Sequence, residues 1–341
     1  MTNYFIPLIL YFFCIYALKK IIPLLQKNSL IDRPSMRGNH NSDTPKGAGI
    51  VIIPIILMSI ILILSIHGSI NLKWISFLTC TLILCIISLI DDIKSLPIIF
   101  RLLAQGLCVL FCIFFFKEDL INILISSQIQ IISEENIYIL FYISAFFLTL
   151  FWLWIINLFN FMDGMDGITS FQMIFFAFVL NILSLFNLMH SDYQFISLII
   201  LSVFLAFYRF NKYPAKLFLG DCGSIPAGFI VGFILIDSLI SNMEFLPLLI
   251  ILFYYIADTS LTLIIRLFKK KNIFEAHSDH FYQKFIRSGK THSEVLKKII
   301  LLWILLTFLS FSSIKFPISS LIFGLLSTLM LLIYFKQKFR L

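Results

Sequence analysis

The sequence predicts an all-α polytopic membrane protein with about eleven transmembrane helices, on three observations: its composition, the spacing of its apolar runs and the placement of its basic residues. Of 341 residues, 60% are hydrophobic and 13% charged, and the mean hydropathy is +0.99. That composition excludes a water-soluble fold. A helix needs about 20 apolar residues to cross the hydrocarbon core. Runs of suitable length fall at about 4–25, 48–66, 73–90, 98–116, 137–156, 168–189, 193–208, 223–240, 245–267, 298–313 and 317–335. The first, Tyr4 to Leu18, lacks a basic leader and meets Lys19 and Lys20 in place of a cleavage site, so it reads as a retained span. Cysteines 14, 80, 85, 108, 112 and 222 lie mostly in apolar runs without zinc-like spacing, and read as small buried hydrophobes.

With the N-terminus outside, every one of the 26 Lys and Arg except Lys73, Lys117 and Lys315 falls on the cytoplasmic side. The positive-inside rule therefore gives an outer N-terminus and a cytoplasmic C-terminus. The net charge of +8 becomes a topology signal and implies no nucleic-acid partner. In the outer loop from Lys117 to Asn136, the alternation Ser127-Gln128-Ile129-Gln130-Ile131 suggests a small hairpin. On the inner side, Thr291-His292-Ser293-Glu294 has the spacing of a capping box and predicts a helix start. No repeat or linker divides the chain, so residues 1–341 read as a single integral membrane domain.

Polar residues that could carry chemistry collect at the cytoplasmic mouths of the predicted spans. Asp91 and Asp92 end the third span, with Lys94 and Arg101 close behind. Adjacent carboxylates repel unless a cation or proton separates them, so the pair suits Mg²⁺ or a metal-bound phosphate; a solvated loop paired with Lys94 is the plain alternative. Asn157, Asn160, Asp163 and Asp166 recur every third residue at the end of the fifth span, which puts their oxygens on a common side of a helix or tight turn, beside Gly164 and Gly167. In Asn211 to Ser224, Asp221 stands between Gly220 and Gly223; its carboxylate is open to a metal, Lys212 and Lys216 can meet phosphate, and Phe218 can stack on a base. A plain turn entering a helix fits that segment equally well. Asp258 falls within the ninth span, and His277 and His280 follow in the next loop, three apart, suited to donating hydrogen bonds to phosphate or to metal ligation but lacking a third zinc ligand. The first loop adds Asp32, Arg33, Pro34, Arg37, His40 and Thr44 to Gly49, where basic groups beside glycines can cradle phosphate. His67, His190 and His292 have no partner pattern and read as solvent or interface residues.

The order of these segments between residues 32 and 283 resembles the polyprenyl-phosphate N-acetylhexosamine-1-phosphate transferase superfamily, most diagnostically in Asn157 to Gly167 and Pro214 to Ser224. The resemblance implies transfer of a sugar 1-phosphate from a UDP-sugar to undecaprenyl or another polyprenyl phosphate at the cytoplasmic face of the cell membrane, with release of UMP. It implies Mg²⁺, with Mn²⁺ as an alternative, held by Asp221 and Asn160. Catalytic roles fall to Asp91, Asp92, Asp163 and Asp166. Substrate contacts fall to Lys94 for the lipid phosphate, Asn211 and Phe218 for uridine, Lys216, His277 and His280. Membrane lipid is a further partner, and a homodimer is compatible with this reading. Two departures concern the sugar side: Ala48 stands where a third Gly is usual, and Ser278 where an Arg follows the first His. The segment His277 to Gln283 resembles the O-antigen initiators more than the peptidoglycan translocase, which favours a UDP-N-acetylhexosamine, including 6-deoxy sugars such as N-acetylfucosamine or N-acetylquinovosamine, over UDP-MurNAc-pentapeptide. A lipid-linked solute transporter or flippase is the rival of another class, but it would need charges near the midplane of several helices, and here only Asp258 and Asp237 qualify. CDP-alcohol phosphotransferases would need a longer Asp-Gly helix than Asp163 to Gly167.

The topology is tested by single-cysteine labelling of intact cells: cysteines placed after Lys336 and in the loop Lys269 to Lys271 stay protected from an impermeant reagent. Labelling of both rejects the assignment.

Overall fold

A computed structural model describes residues 5–28, 30–33, 43–126, 134–272, 275 and 277–340; Pro34, Arg37, His40 and the Ser127 to Ile131 alternation lie outside them. The elements run α1 (Phe5–Lys27), β1 (Ile31–Asp32), β2 (Thr44–Pro45), α2 (Gly49–His67), α3 (Leu72–Ile93), α4 (Ile98–Phe114), α5 (Lys117–Ser126), α6 (Glu134–Met162), α7 (Ile168–Leu185), α8 (Asp192–Asn211), α9 (Asp221–Ile240), α10 (Phe245–Ile250), α11 (Phe253–Phe268), α12 (Phe281–Arg287), α13 (His292–Ser312) and α14 (Pro317–Arg340). The protein is all-α and polytopic. Among the described residues nine helices are long and apolar enough to cross a membrane, or ten if α4 and α5, bent by 60° to each other, form one span.

The apolar run 245–267 is not one helix but the pair α10 and α11, interrupted at Ile251 and Leu252. Inside a membrane a break frees backbone groups that must find other partners. Here Gln172 on α7 donates to the Ile251 carbonyl at 3.2 Å, and Ser310 on α13 donates to the Pro247 carbonyl at 2.9 Å. The predicted helix start at Thr291 is present as a capping box, Thr291 Oγ1 accepting from the Glu294 N–H and Glu294 accepting from the Thr291 N–H.

Helix α9 is the centre of the bundle, buried along 94% of its apolar window. It packs on α6, α3 and α2. Small residues allow the close approach: a Cβ added at Gly232 would fall 2.1 Å from Trp152 Cδ1, and one at Gly228 would fall 2.8 Å from the Ile156 Cα. Trp152 donates its indole N–H to the Phe229 carbonyl at 3.0 Å, which fixes the register of α6 against α9.

The N-termini of α2 and α9 meet at the same end of the bundle. Phe218 donates its N–H to the Pro45 carbonyl at 2.8 Å, and the N–H groups of Gly47, Ala48 and Gly49 return to Phe218 and Leu219 at 3.0–3.1 Å. Beyond this ladder the two helices touch through Gly49 and Gly223. A Cβ at Gly49 would lie 2.3 Å from the Gly223 nitrogen, against backbone that cannot swing aside. Gly49→Ala therefore forces the two helices apart, at a cost of about 1–3 kcal/mol. Gly106→Ala, whose Cβ would meet only Leu153 at 4.0 Å, is neutral or gains up to about 1 kcal/mol of helix propensity. Thermal unfolding of the two variants in detergent distinguishes them, and equal midpoints would contradict this packing.

Candidate active site

The ends of α3, α6 and α11 and the starts of α2, α9 and α13 gather at one end of the bundle, so residues distant in sequence share one mouth. A cavity of about 250 Å³ opens there, lined among others by Asp92, Asn160, Asp163, Asp166, Phe218 and Asp221. The carboxylates crowd together, and the fold compensates them in part. Arg101 Nη1 donates to Asp91 at 2.6 Å and stands 3.5 Å from Asp221. Lys46 stands 3.3 Å from Asp92. Asp92 also accepts the Cys222 N–H at 3.0 Å, in the first turn of α9, where the helix dipole favours negative charge. Gly220, at φ 76°, has room only for hydrogen beside Asp92: an added Cβ would fall 2.9 Å from its Oδ2.

The adjacent pair Asp91 and Asp92 is thus split. Asp91 turns to Arg101 and to the Leu96 N–H at 2.6 Å, while Asp92 lines the cavity. The Asn157 to Asp166 repeat is split as well, because α6 stops at Met162. Asn157 bonds to Gln105 at 2.8 Å and lines a neighbouring apolar cavity of about 320 Å³; Asn160 borders both cavities, and Asp163 and Asp166 face the acidic one. Asn160 donates to Ser224 at 3.2 Å.

Asn211 is a stitch between loops. Its Oδ1 accepts from the Gly167 N–H at 2.9 Å and from Ser170 at 3.1 Å, and its Nδ2 donates to the Leu217 carbonyl at 3.1 Å. It also borders the cavity. Lys94 and Lys216 are exposed and lie outside the cavity lining. His280 is buried, with Nδ1 3.0 Å from Asp258, and it opens α12. Asp258 in turn accepts from the N–H groups of Phe281 and Tyr282, at 3.1 and 3.3 Å. The buried Asp258 carboxylate therefore anchors α12. His277 stacks on His280 at 5.2 Å and is half-buried; burial, helped by His280 and Arg266, lowers its pKa to about 4. Burial alone would raise the Asp279 carboxyl, but the Arg266 hydrogen bond at 2.5 Å and the charges of Lys284 and Lys271 outweigh it and hold the pKa at about 2.

Two lining residues were given no site role of their own in the sequence: Gln283 on α12, which entered only within the segment His277 to Gln283, and His292 at the start of α13, which read as a solvent or interface residue. His292 is buried, 3.1 Å from the Asp166 carboxylate, and its Nε2 has no protein partner. Asp166 also accepts the Ala215 N–H at 2.9 Å, so this pair ties α13 to the loop before α9. The only sequence signal was the capping box that brings α13 to the same end as the other segments.

Asp163 carries the clearest electrostatic strain. Burial raises its carboxyl to about 8, the charges of Asp221 and Asp92 add to the rise, and a Thr169 hydrogen bond opposes it. A folded-state pKa above the unfolded 3.8 means that the folded protein keeps a proton the unfolded chain gives up. Stability from this group is fully present below about pH 4 and is lost as pH rises to about 8, with a slope of at most about 1.4 kcal/mol per pH unit. Asp163→Asn removes that slope: in chelator-treated detergent solution its thermal midpoint falls less than the wild-type midpoint between pH 5 and 8. Parallel profiles would contradict the assignment.

Residues 74–239, from α3 to the end of α9, match the family described as glycosyl transferase family 4. The chain is similar to a phospho-N-acetylmuramoyl-pentapeptide-transferase of Clostridium perfringens (strain 13), at 32% identity over 126 residues, 35% of this chain and 38% of that protein. It is similar to a protein of the same description from Lactococcus lactis subsp. cremoris (strain MG1363), at 41% identity over 93 residues, 26% of this chain and 27% of that protein. A third relative is a probable undecaprenyl-phosphate N-acetylglucosaminyl 1-phosphate transferase of Bacillus subtilis (strain 168), at 28% identity over 100 residues, 28% of each chain. These alignments span 27 to 38% of the curated relatives' own length. With the motifs at the mouth of α3, α6 and α9, these matches support a likeness of the chain to the superfamily of polyprenyl-phosphate N-acetylhexosamine-1-phosphate transferases.

Proposed function

We propose that the protein transfers an N-acetylhexosamine 1-phosphate from a UDP-sugar to a polyprenyl phosphate at the cytoplasmic face of the cell membrane. One observation carries this reading: an acidic cavity with flanking cations shares Asn160 and a common wall with an apolar cavity. A diphosphate donor fits the first. The second, walled by Ile98, Leu102, Leu153 and Trp154 and bordered by Arg101, suits an isoprenoid chain whose phosphate meets the guanidinium.

In the proposed reaction a phosphate oxygen of the lipid attacks the sugar-linked phosphorus. A new P–O–P bond forms to the lipid, the bond from that phosphorus to the oxygen it shares with the UMP phosphorus breaks, and UMP leaves with the electron pair. The lipid phosphate is already anionic, so no strong base is needed, and the main obstacle is repulsion between anions. Arg101 and Lys46 reduce it from the protein side. Asp221 and Asn160 offer hard oxygen donors for Mg²⁺ or Mn²⁺, which when bound supplies positive charge to the diphosphate. Among the described residues no group of three or more His, Cys, Asp and Glu is arranged to hold a metal by itself. That fits an ion of this kind, which is commonly held by one or two carboxylates together with substrate phosphates. The rise of the Asp163 pKa beside Asp92 and Asp221 further supports a site built to receive positive charge.

The transporter reading loses its main support, since Asp258 is committed to α12 and Asp237 to Lys73 at 2.6 Å and Tyr193 at 2.5 Å. For the donor sugar there are two readings. The segment His277 to Gln283 favours a UDP-N-acetylhexosamine of the O-antigen type. The Clostridium and Lactococcus relatives favour UDP-MurNAc-pentapeptide.

Purified protein releases UMP from a UDP-sugar only when polyprenyl phosphate and a divalent cation are both present; release without the lipid contradicts the proposal. Assayed side by side, UDP-GlcNAc, its 6-deoxy analogues and UDP-MurNAc-pentapeptide decide the donor, a clear preference for the pentapeptide overturning the first reading. Asp221→Asn lowers turnover by about a thousandfold while the protein still inserts and folds. Near-normal turnover at low Mg²⁺ would remove Asp221 from the metal site.

A further inference from the structure

Away from the acidic cavity, three lysines from separate elements converge. Lys269 follows α11, Lys284 lies on α12 and Lys336 lies near the end of α14, and with Ile265 and Phe281 they line a cavity of about 170 Å³. Among the described residues no carboxylate lines it. The nearest acidic neighbour identified for these lysines, Asp279, is 3.7 Å from Lys284 and is shared with Arg266 at 2.5 Å and Lys271 at 3.6 Å. Among the described residues Lys269 and Lys336 have no carboxylate partner.

The lysines are held together by the fold. Phe335, fully buried, stacks on Phe285 at 4.5 Å, which fixes α14 against α12 one residue before Lys336. Lys298 lies 4.9 Å from the Tyr334 ring centroid and braces the same junction. The surroundings are lipid-like. Leu267 and Phe268 precede Lys269 and are 57% and 87% exposed, and Ile333, one helical turn before Lys336, is 53% exposed. Exposed apolar side chains next to a basic, apolar-floored cavity at the end of a membrane bundle match the two halves of an acidic phospholipid.

We propose that this cavity binds the phosphate of an anionic membrane phospholipid, with Lys269, Lys284 and Lys336 around the headgroup and the acyl chains along α11 and α14. Burial lowers the Lys284 pKa and the Lys269 charge adds to the fall, while Asp279 opposes it; a bound anion acts in the same direction as Asp279. The bound lipid also steadies α12, whose Gln283 walls the acidic cavity. The inference does not depend on the reaction proposed above.

The test uses the full chain in detergent, titrated with dioleoylphosphatidylglycerol, dioleoylphosphatidylethanolamine or inorganic phosphate while the thermal midpoint is followed. Phosphatidylglycerol is expected to raise the midpoint. In Lys269→Gln/Lys336→Gln its apparent affinity falls roughly tenfold or more, given about 1 kcal/mol for each basic residue near anionic lipid. The control Lys297→Gln/Lys338→Gln removes the same charge from exposed positions outside the cavity and keeps the wild-type response. An equal effect of phosphatidylethanolamine, an equal loss in the control, or a full response to inorganic phosphate at matched concentration would each overturn the proposal. Native mass spectrometry of the wild type from mixed-lipid nanodiscs gives a second readout that needs no variant: retention of phosphatidylglycerol over phosphatidylethanolamine supports the site, and equal retention counts against it.

Discussion

Several carboxylates share one membrane mouth, and the cost of keeping them there organises the structure around it. Asp91, Asp92, Asp163 and Asp221 come from α3, the end of α6 and the start of α9, and like charges at short range disfavour one another. The fold offsets this with groups drawn from elsewhere. Arg101 joins Asp91 to Asp221, Lys46 reaches Asp92 from the segment before α2, and the Cys222 N–H adds the positive end of α9. Each contact also fixes an element, so the ends of α2, α3, α4 and α9 are bound to one another by their charges as well as by packing. The compensation is incomplete at Asp163, whose carboxyl is pushed up to about 8. A cavity that keeps such strain is suited to a ligand that brings positive charge of its own.

The opposite wall is built by a different device. The break between α10 and α11 is satisfied by Gln172 and Ser310, which leaves α11 free to carry the buried Asp258 to the start of α12. Asp258 holds α12 through the Phe281 and Tyr282 N–H groups and through His280. Gln283 then faces the acidic cavity, and His292 closes its far side by pairing with Asp166. A carboxylate within an apolar run reads from sequence as a candidate for a translocation path, yet here the hydrogen bonds of Asp258 position α12.

Much of this was legible in the sequence, because the bilayer imposes strong patterns. Hydropathy revealed the apolar runs, and the motifs ending α3 and α6 and opening α9 do line or border one cavity. Legibility failed where a pattern has two solutions. The run 245–267 is mostly apolar, and its hydropathy does not distinguish a straight helix from one broken at Ile251, whose carbonyl is satisfied by a residue 79 positions earlier. Adjacent Asp91 and Asp92 suggest a joint site, but their direction is set by Arg101 and Lys46, partners that sequence proximity does not identify. His277 and His280 look alike in spacing, whereas burial commits His280 to Asp258 and leaves His277 half-exposed. His292 lacked a local partner because Asp166 lies 126 residues away.

The central claim is that the acidic mouth receives a divalent cation together with a nucleotide diphosphate. Crystals of the full chain grown with Mn²⁺ and a non-hydrolysable UDP-sugar, measured at the manganese absorption edge, test it most directly. The expected result is one anomalous peak within coordination distance of Asp221 and Asn160 and of the diphosphate oxygens. A nucleotide bound in the cavity with manganese elsewhere, or with no manganese at all, would contradict it.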